Sequence, residues 1–423
     1  MSCMKHSKRV LAALLFGAAS LVSCNEQPTE TTHMKTASDI LGNPEYRAVS
    51  YGGYRATTRE VQPTIAELKD DLKIMHAMGI RILRTYNLQL DQAPNILKAI
   101  RELKEEDASF EMYVMLGAWI DCLHAWTDHP NHEIEDEENN TSEIQKAVAY
   151  ANEYPDIVKV IAVGNEAMVH WAWSYFVKPG VILKYVNYLQ ELKEIGKLPS
   201  SVWITCSDNF ASWGGGSPDY HNDDLNALIN AVDYISMHTY PFHDTHYNPG
   251  FWEVHESAVA DADSTERVEL AMRRAMHYAK NQYNGVKEYM ESIGADKPIH
   301  IGETGWASVS RGLYGPNGSY AADEVKQAFY RNQMRSWTDS AGISCFYFEA
   351  FDEPWKDPNH KEGSENNFGV ITLDGQAKYA LWPLVDQGVF EGLTRNGNPI
   401  TKTFGGDEAA LMKTVLTPKT VNE

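Results

Sequence analysis

Two glutamates end apolar runs in this sequence, and that placement is the first chemistry it offers. Glu166 follows Val160-Ile161-Ala162-Val163-Gly164-Asn165; Glu303 follows Pro298-Ile299-His300-Ile301-Gly302 and precedes Thr304-Gly305-Trp306. The dipeptide Asn-Glu is uninformative by itself, since it recurs at Asn25, Asn152 and Asn422, but only the copy at Asn165 ends a strand-like run. A carboxylate at the end of a buried strand loses solvation unless it is paired or used. Two facing carboxylates suit glycoside hydrolysis: one, kept protonated, donates to the leaving oxygen while the other attacks the anomeric carbon. A gap of about 5–5.5 Å gives retention, and a wider one admits water and gives inversion. Burial and mutual repulsion raise the acid's pKa, so both forms exist at one pH. Spacing alone leaves a second reading open, two structural carboxylates paired with rim arginines such as Arg84.

Stepping from these residues to the elements that must hold them, eight short apolar runs cover 48–54, 80–86, 111–118, 158–164, 202–207, 234–240, 299–303 and 343–349. Each is rich in Val, Ile, Tyr or Met, as strands buried on both faces are. Helical patterns lie between them at 64–78, 142–154, 179–195, 264–293 and 322–339. In the first, Ile65, Leu68, Leu72, Met75 and Met78 recur at spacings of three and four, and Gly79 is a stop signal. This alternation predicts an α/β protein, a single-domain (β/α)8 TIM barrel over 38–404 with a C-terminal tail at 405–423. An open doubly wound sheet is disfavoured, because no Gly-rich phosphate fingerprint follows the first run. Such barrels carry their chemistry at the C-terminal strand ends. Here run four ends in Asn165-Glu166, run six in His238-Thr239-Tyr240, run seven in Glu303 and run eight in Glu349.

These residues resemble a known family. Val163-Gly164-Asn165-Glu166 and Ile301-Gly302-Glu303-Thr304-Gly305-Trp306 are similar to the two signatures of glycoside hydrolase family 17, the β-1,3-glucanase family of clan A. Phe351-Asp352-Glu353, Lys356 and Glu365 ahead of Asn367-Phe368-Gly369 resemble its acidic-lysine segment, and Arg84-Thr85-Tyr86 its Arg-x-Tyr. Tyr51-Gly52 and Tyr240-Pro241 also fit, so the resemblance runs from about residue 48 to 370 and implies Tyr51, Arg84 and Tyr86 among the substrate-binding residues. It implies a retaining mechanism with Glu166 as acid/base, Glu303 as nucleophile and Asn165 on the sugar's 2-hydroxyl. Tyr240 would orient Glu303, while Glu353, Lys356 and Glu365 support the sugar site. Two positions depart from the family's pattern: Ala307 where the family often has Pro, and His238 where its segment begins with Asn. The implied reaction is hydrolysis of β-1,3-glucan or mixed-linkage β-1,3/1,4-glucan. Glucanosyl transfer is the rival within the family, and a non-catalytic surface glycan-binding lipoprotein is the rival outside it.

Sugars stack a C–H face on indole. Trp306 and Trp355 are the expected sugar contacts, and Trp119, Trp171 and Trp173 are open between cleft and core. His238, His243 and His246 match no zinc spacing, and no Gly-x-Ser-x-Gly elbow is present, so neither metal nor cofactor is expected. The acidic run 133–138 reads as a solvated loop. A formal charge of -21 without a Lys/Arg cluster argues against nucleic acid and is compatible with a neutral polysaccharide. Lys5, Lys8 and Arg9 precede a short apolar stretch ending Leu21-Val22-Ser23-Cys24, which resembles a lipoprotein lipobox. Residues 1–23 are then a signal peptide, Cys24 the lipidated residue, and 24–37 a flexible tether to the outer membrane. Cys122, Cys206 and Cys345 remain, an odd number, of which Cys206 and Cys345 read as buried thiols. A monomer is expected.

Overall fold

The structure, a computed structural model, describes residues 34–421. Eight strands close a barrel: β1 Arg47–Ser50, β2 Ile80–Arg84, β3 Tyr113–Ala118, β4 Val158–Asn165, β5 Trp203–Asn209, β6 Ile235–His238, β7 Ile299–Gly305 and β8 Cys345–Phe348. Every pairing around the ring is parallel, with β8 returning to β1. Side chains alternate across each strand, so the apolar runs feed two cores. Ala48, Ile82, Met115, Val160, Ala162 and Phe346 fill the barrel, whereas Val49, Leu83, Val114, Leu116, Ile161 and Val163 pack outward under the helices.

The helical layer consists of α1 Ile65–Ala77, α2 Gln92–Glu106, α3 Glu137–Glu153, α4 Pro179–Glu194, α5 Asp223–Ala231, α6 Ser264–Ser292 and α7 Glu324–Ala341, followed by a five-residue α8, Trp382–Asp386. Thr64 and Glu67 form a reciprocal capping box that starts α1, and Gly342 ends α7 with φ 66°. The helix α2 went unread in the sequence although its Ala93, Ile96, Leu97, Ile100 and Leu103 face the core.

Three expectations need correction. The acidic run is not a loop: Asn131–Glu135 pairs with Cys122–Leu123, Asp136 caps α3, and Glu137 and Glu138 occupy its first turn, where the helix dipole favours negative charge. His243 and His246 lie on a short helix, Pro241–Tyr247, rather than in a loop. Cys345 is only half-buried, while Cys122 and Cys206 are buried, and all three are free thiols. The stretch after residue 404 carries a helix, Glu408–Met412, and Thr420–Val421 pairs with Val254–His255. Cys24 and the tether up to residue 33 lie outside the described residues.

Candidate active site

Both glutamates sit where strand pairing slips. The β4–β5 register shifts between Ala162 and Asn165, Gly164 has φ 83°, and Glu166 itself has φ 47°. The β7 register shifts between Ile301 and Glu303 against β6 and between Ile301 and Thr304 against β8. A bulge re-aims the next side chain, and a left-handed non-glycine residue is tolerated where its surroundings over-determine it. Gly302 is required there: a Cβ would fall 2.1 Å from Ser236 Oγ and 2.6 Å from Ser207 Oγ.

Glu303 is surrounded by donors. Its Oε1 accepts from the Tyr240 hydroxyl at 2.6 Å; its Oε2 accepts from the Tyr86 hydroxyl at 2.9 Å and from Arg84, which is fully buried. Burial pushes the Glu303 carboxyl up, but Arg84 and the two phenols outweigh it and hold it below the ordinary glutamate value. The second Arg84 nitrogen donates to Asn165 Oδ1. An arginine can only donate, so this bond fixes the amide with its NH2 toward the cleft.

Glu166 has different company. Its Oε1 meets His238 Nδ1 at 3.0 Å, and His238 Nε2 meets Ser207 Oγ at 2.8 Å, which meets Ser236 Oγ at 2.9 Å. Among the described residues, no arginine or lysine bonds it. Burial, then the charge of Glu303, pushes Glu166 up to about 8, with Arg84 pulling the other way. Burial pulls His238 down to about 4, so at neutral pH its ring is uncharged. Two glutamates on one rim are thus poised in opposite protonation states.

Around them the other expected residues divide. Lys356 pairs with Glu349 and, at 3.4 Å, with Glu353. Glu353 is buried beneath Gly52, accepting from the Tyr54 amide at 3.1 Å and the Trp355 indole at 2.9 Å, so it steadies this corner without reaching the cleft. Glu365 acts on Glu166 and Lys356 through its charge alone. Trp355 is half-buried, its ring covered by Arg59 at 4.5 Å. Two expected sugar contacts are corrected. Trp306 is wholly buried, donating to the Ala321 carbonyl at 2.8 Å and packing on Phe242, Trp252 and Tyr330, so no indole face is left for a sugar. Tyr51 is equally buried, its hydroxyl turned outward to Asp71 at 3.0 Å.

Several working parts escaped the sequence reading. Asp208, which follows run five directly, accepts from Met168 N, Ser212 Oγ and Asn209 N and so fixes the loop after Glu166. Glu143 on α3 accepts from the amides of Leu88 and Trp119 and ties down the loops after β2 and β3. Asp121 holds the indoles of Trp119 and Trp126 at 2.6 and 3.3 Å, and Trp126 stacks on Tyr175 at 4.8 Å. Tyr175 in turn feels the charge of Glu166. Trp126, Trp171 and Trp173 are 61%, 62% and 54% exposed, so the aromatic surface beside Glu166 is open.

A family model described as BtgE/BtgC glycoside hydrolase domain matches residues 48–369. A crystal structure of an endo-laminarinase from Formosa Hel1_33_131 is 63% identical, with 92% of this chain and 99% of that one covered and a TM-score of 0.90. A glucan 1,3-beta-glucosidase of Arthroderma benhamiae is 26% identical over 274 residues, 63% of this chain and 70% of that protein. A probable glucan endo-1,3-beta-glucosidase, btgC, of Aspergillus fumigatus is 23% identical over 313 residues. The match covers 68% of this chain and 36% of that relative, so the chain spans about a third of its length.

Proposed function

The chain belongs to the BtgE/BtgC glycoside hydrolase domain family, and from that premise we propose that it cleaves β-1,3-glucan of the laminarin type by a retaining double displacement. It is an O-glycoside hydrolase. The observation that carries the assignment of roles is the opposite charging of the two glutamates, Glu166 pushed up to about 8 and Glu303 held low by Arg84.

In the first step Glu303 attacks the anomeric carbon while Glu166 protonates the departing glycosidic oxygen. The His238 tautomer with its proton on Nδ1 donates to Glu166 Oε1 and accepts from Ser207, leaving Oε2 to carry the acid proton. The Asn165 amide donates to the sugar 2-hydroxyl. Once Glu303 is esterified its charge is gone, and so is one cause of the raised Glu166 pKa. Glu166 then ionises more readily and serves as base toward the water that releases the sugar. The departing Glu303 carboxylate is received by Arg84, Tyr86 and Tyr240.

The mature chain is proposed to be anchored through a lipidated Cys24 to the outer membrane, a reading supported by the lipobox-like Leu21-Val22-Ser23-Cys24; an unmodified N-terminus elsewhere in a mass spectrum would overturn it. For the reaction, the purified chain is given laminarin, lichenan and a β-1,6-glucan, and products are followed over time. Shortened oligosaccharides from laminarin are expected, with β-configured ends by NMR in the first minutes. An α-configured first product refutes the double displacement, and elongated products at high substrate identify a transferase instead.

A further inference from the structure

The chemistry above occupies the C-terminal rim of the barrel, but an unusual set of charges lies on its flank. The eighth helix is a five-residue stub. Between α7 and the outer faces of β1 and β8 a crevice of about 30 Å³ remains, lined by Arg47, Arg331, Arg335, Asp339 and Tyr347, and no residue of α8 lines it. Arg331, Arg335 and Asp339 follow one another at a spacing of four along one face of α7.

Among the described residues, none of the three guanidinium groups makes a hydrogen bond, an ion pair or a ring contact. For exposed Arg47 and half-buried Arg335 that is ordinary. For Arg331 it is not, because it is only 7% exposed. Burial pulls it below the usual arginine range, and the charge of Arg47 adds to that. Among the described residues lining the crevice, Asp339 is the one anion; it answers the charge of Arg47 and bonds to none of the three. No Arg331 nitrogen is among the fully buried unpartnered atoms, so its guanidinium still meets solvent at the crevice, and a largely desolvated cation there gains more from an anion than an exposed one does. Three cations and one carboxylate leave two positive charges facing a space larger than the ~10–15 Å³ that one water needs.

We infer that this crevice binds a small tetrahedral oxyanion of the phosphate or sulfate class, gripped by Arg331 from within and by Arg47 and Arg335 at the mouth. Guanidinium groups suit such oxygens because they offer paired N–H donors in a fixed fork. The same chemistry is found in a free ion and in a phospholipid headgroup.

Calorimetric titration with inorganic phosphate at constant ionic strength, with chloride as control, tests the site. Saturable binding is expected, at least tenfold weaker in the surface double variant Arg47→Gln/Arg335→Gln and tighter in Asp339→Asn, with laminarin cleavage unchanged in both. No phosphate-specific heat, or binding undiminished in the double variant, overturns the proposal. Arg331→Met supplies an independent readout: without phosphate its Tm rises, and phosphate no longer shifts it. If Arg331 were merely structural, its Tm would fall. Phosphatidylglycerol vesicles offered to the unacylated Cys24→Ser chain separate the two sources. Vesicle capture that phosphate competes away and the double variant loses assigns a headgroup; capture that is absent, beside intact phosphate binding, assigns the free ion.

Discussion

Replacing Arg84 with Met removes the one full positive charge beside Glu303 while keeping most of the buried stem. In the native enzyme the guanidinium donates to Glu303 and Asn165, and both ends of the ion pair are nearly excluded from solvent. Breaking a buried pair by removing one partner costs about 3–5 kcal/mol while the other stays charged. Glu303 escapes that cost by taking up a proton. Its folded pKa, depressed in the native protein, rises above its unfolded value of about 4.3. Native Glu303 therefore stabilises the fold above the ordinary carboxylate range and loses that contribution as pH falls through its low folded pKa. In the variant the sign inverts, and the stability deficit is largest near neutrality and shrinks on acidification. For catalysis, the acid limb of kcat/KM, which reports ionisation of the nucleophile, moves up toward neutral pH. At pH 7 the lost transition-state stabilisation, if it reaches the same 3–5 kcal/mol, corresponds to about 10²- to 10⁴-fold in kcat/KM. Reducing-end assays on laminarin across pH 3–9, with thermal unfolding over the same range, measure both. A profile of native shape, scaled down only by the fraction folded, would refute the reasoning and return Arg84–Glu303 to a structural ion pair.

Other outcomes follow from the same geometry. The alkaline limb of kcat/KM falls near pH 8, where Glu166 loses its proton; in Glu166→Gln that limb disappears and the rate drops about 10²- to 10⁴-fold for a poor leaving group. Glu166→Ala regains turnover with azide, giving a β-glycosyl azide identifiable by NMR, and an α-azide would exclude Glu303 as nucleophile. Trp126→Ala, at the open aromatic surface beside Tyr175, raises KM for laminarin about 2- to 10-fold, the worth of one stacking contact, with kcat nearly constant on the shortest cleaved oligosaccharide. Gly302→Ala drives a methyl into Ser236 and Ser207; chemical denaturation should show a loss of about 1–3 kcal/mol together with a changed alkaline limb, since Ser207 supports His238.

The barrel was legible because strands buried on both faces and helices buried on one leave different periods in the chain. The eight strands fell within a few residues of the eight apolar runs, and α6 began where the pattern began. What failed had physical causes. Residues 137–141 are polar and acidic, and they belong to α3 because a capped N-terminus accepts such residues, not because of any apolar stripe. Trp306 and Tyr51 were misplaced for a related reason. An aromatic next to a strand end points into the cleft or back into the helical layer according to one backbone slip, and sequence does not record the slip. Asp208, Glu143 and Asp121 went unseen because they work on amides and indoles of distant loops, and such partners leave no periodic trace.

The same point explains how one residue type performs two roles here. Glu166 and Glu303 both follow a glycine-bearing bulge, Glu303 buried and Glu166 half-buried at the same rim. Burial raises each pKa, so it cannot distinguish acid from nucleophile. The difference lies in the neighbours: an arginine and two phenols against Glu303, and an uncharged imidazole against Glu166. His238 matters most in this, because a permanently charged side chain at its position would pull the Glu166 proton away and leave two anions facing each other. Burial keeps that ring neutral while Ser207 keeps it oriented. The division of labour is therefore set by β2 and β6, the strands that carry Arg84 and His238, rather than by the strands that carry the glutamates.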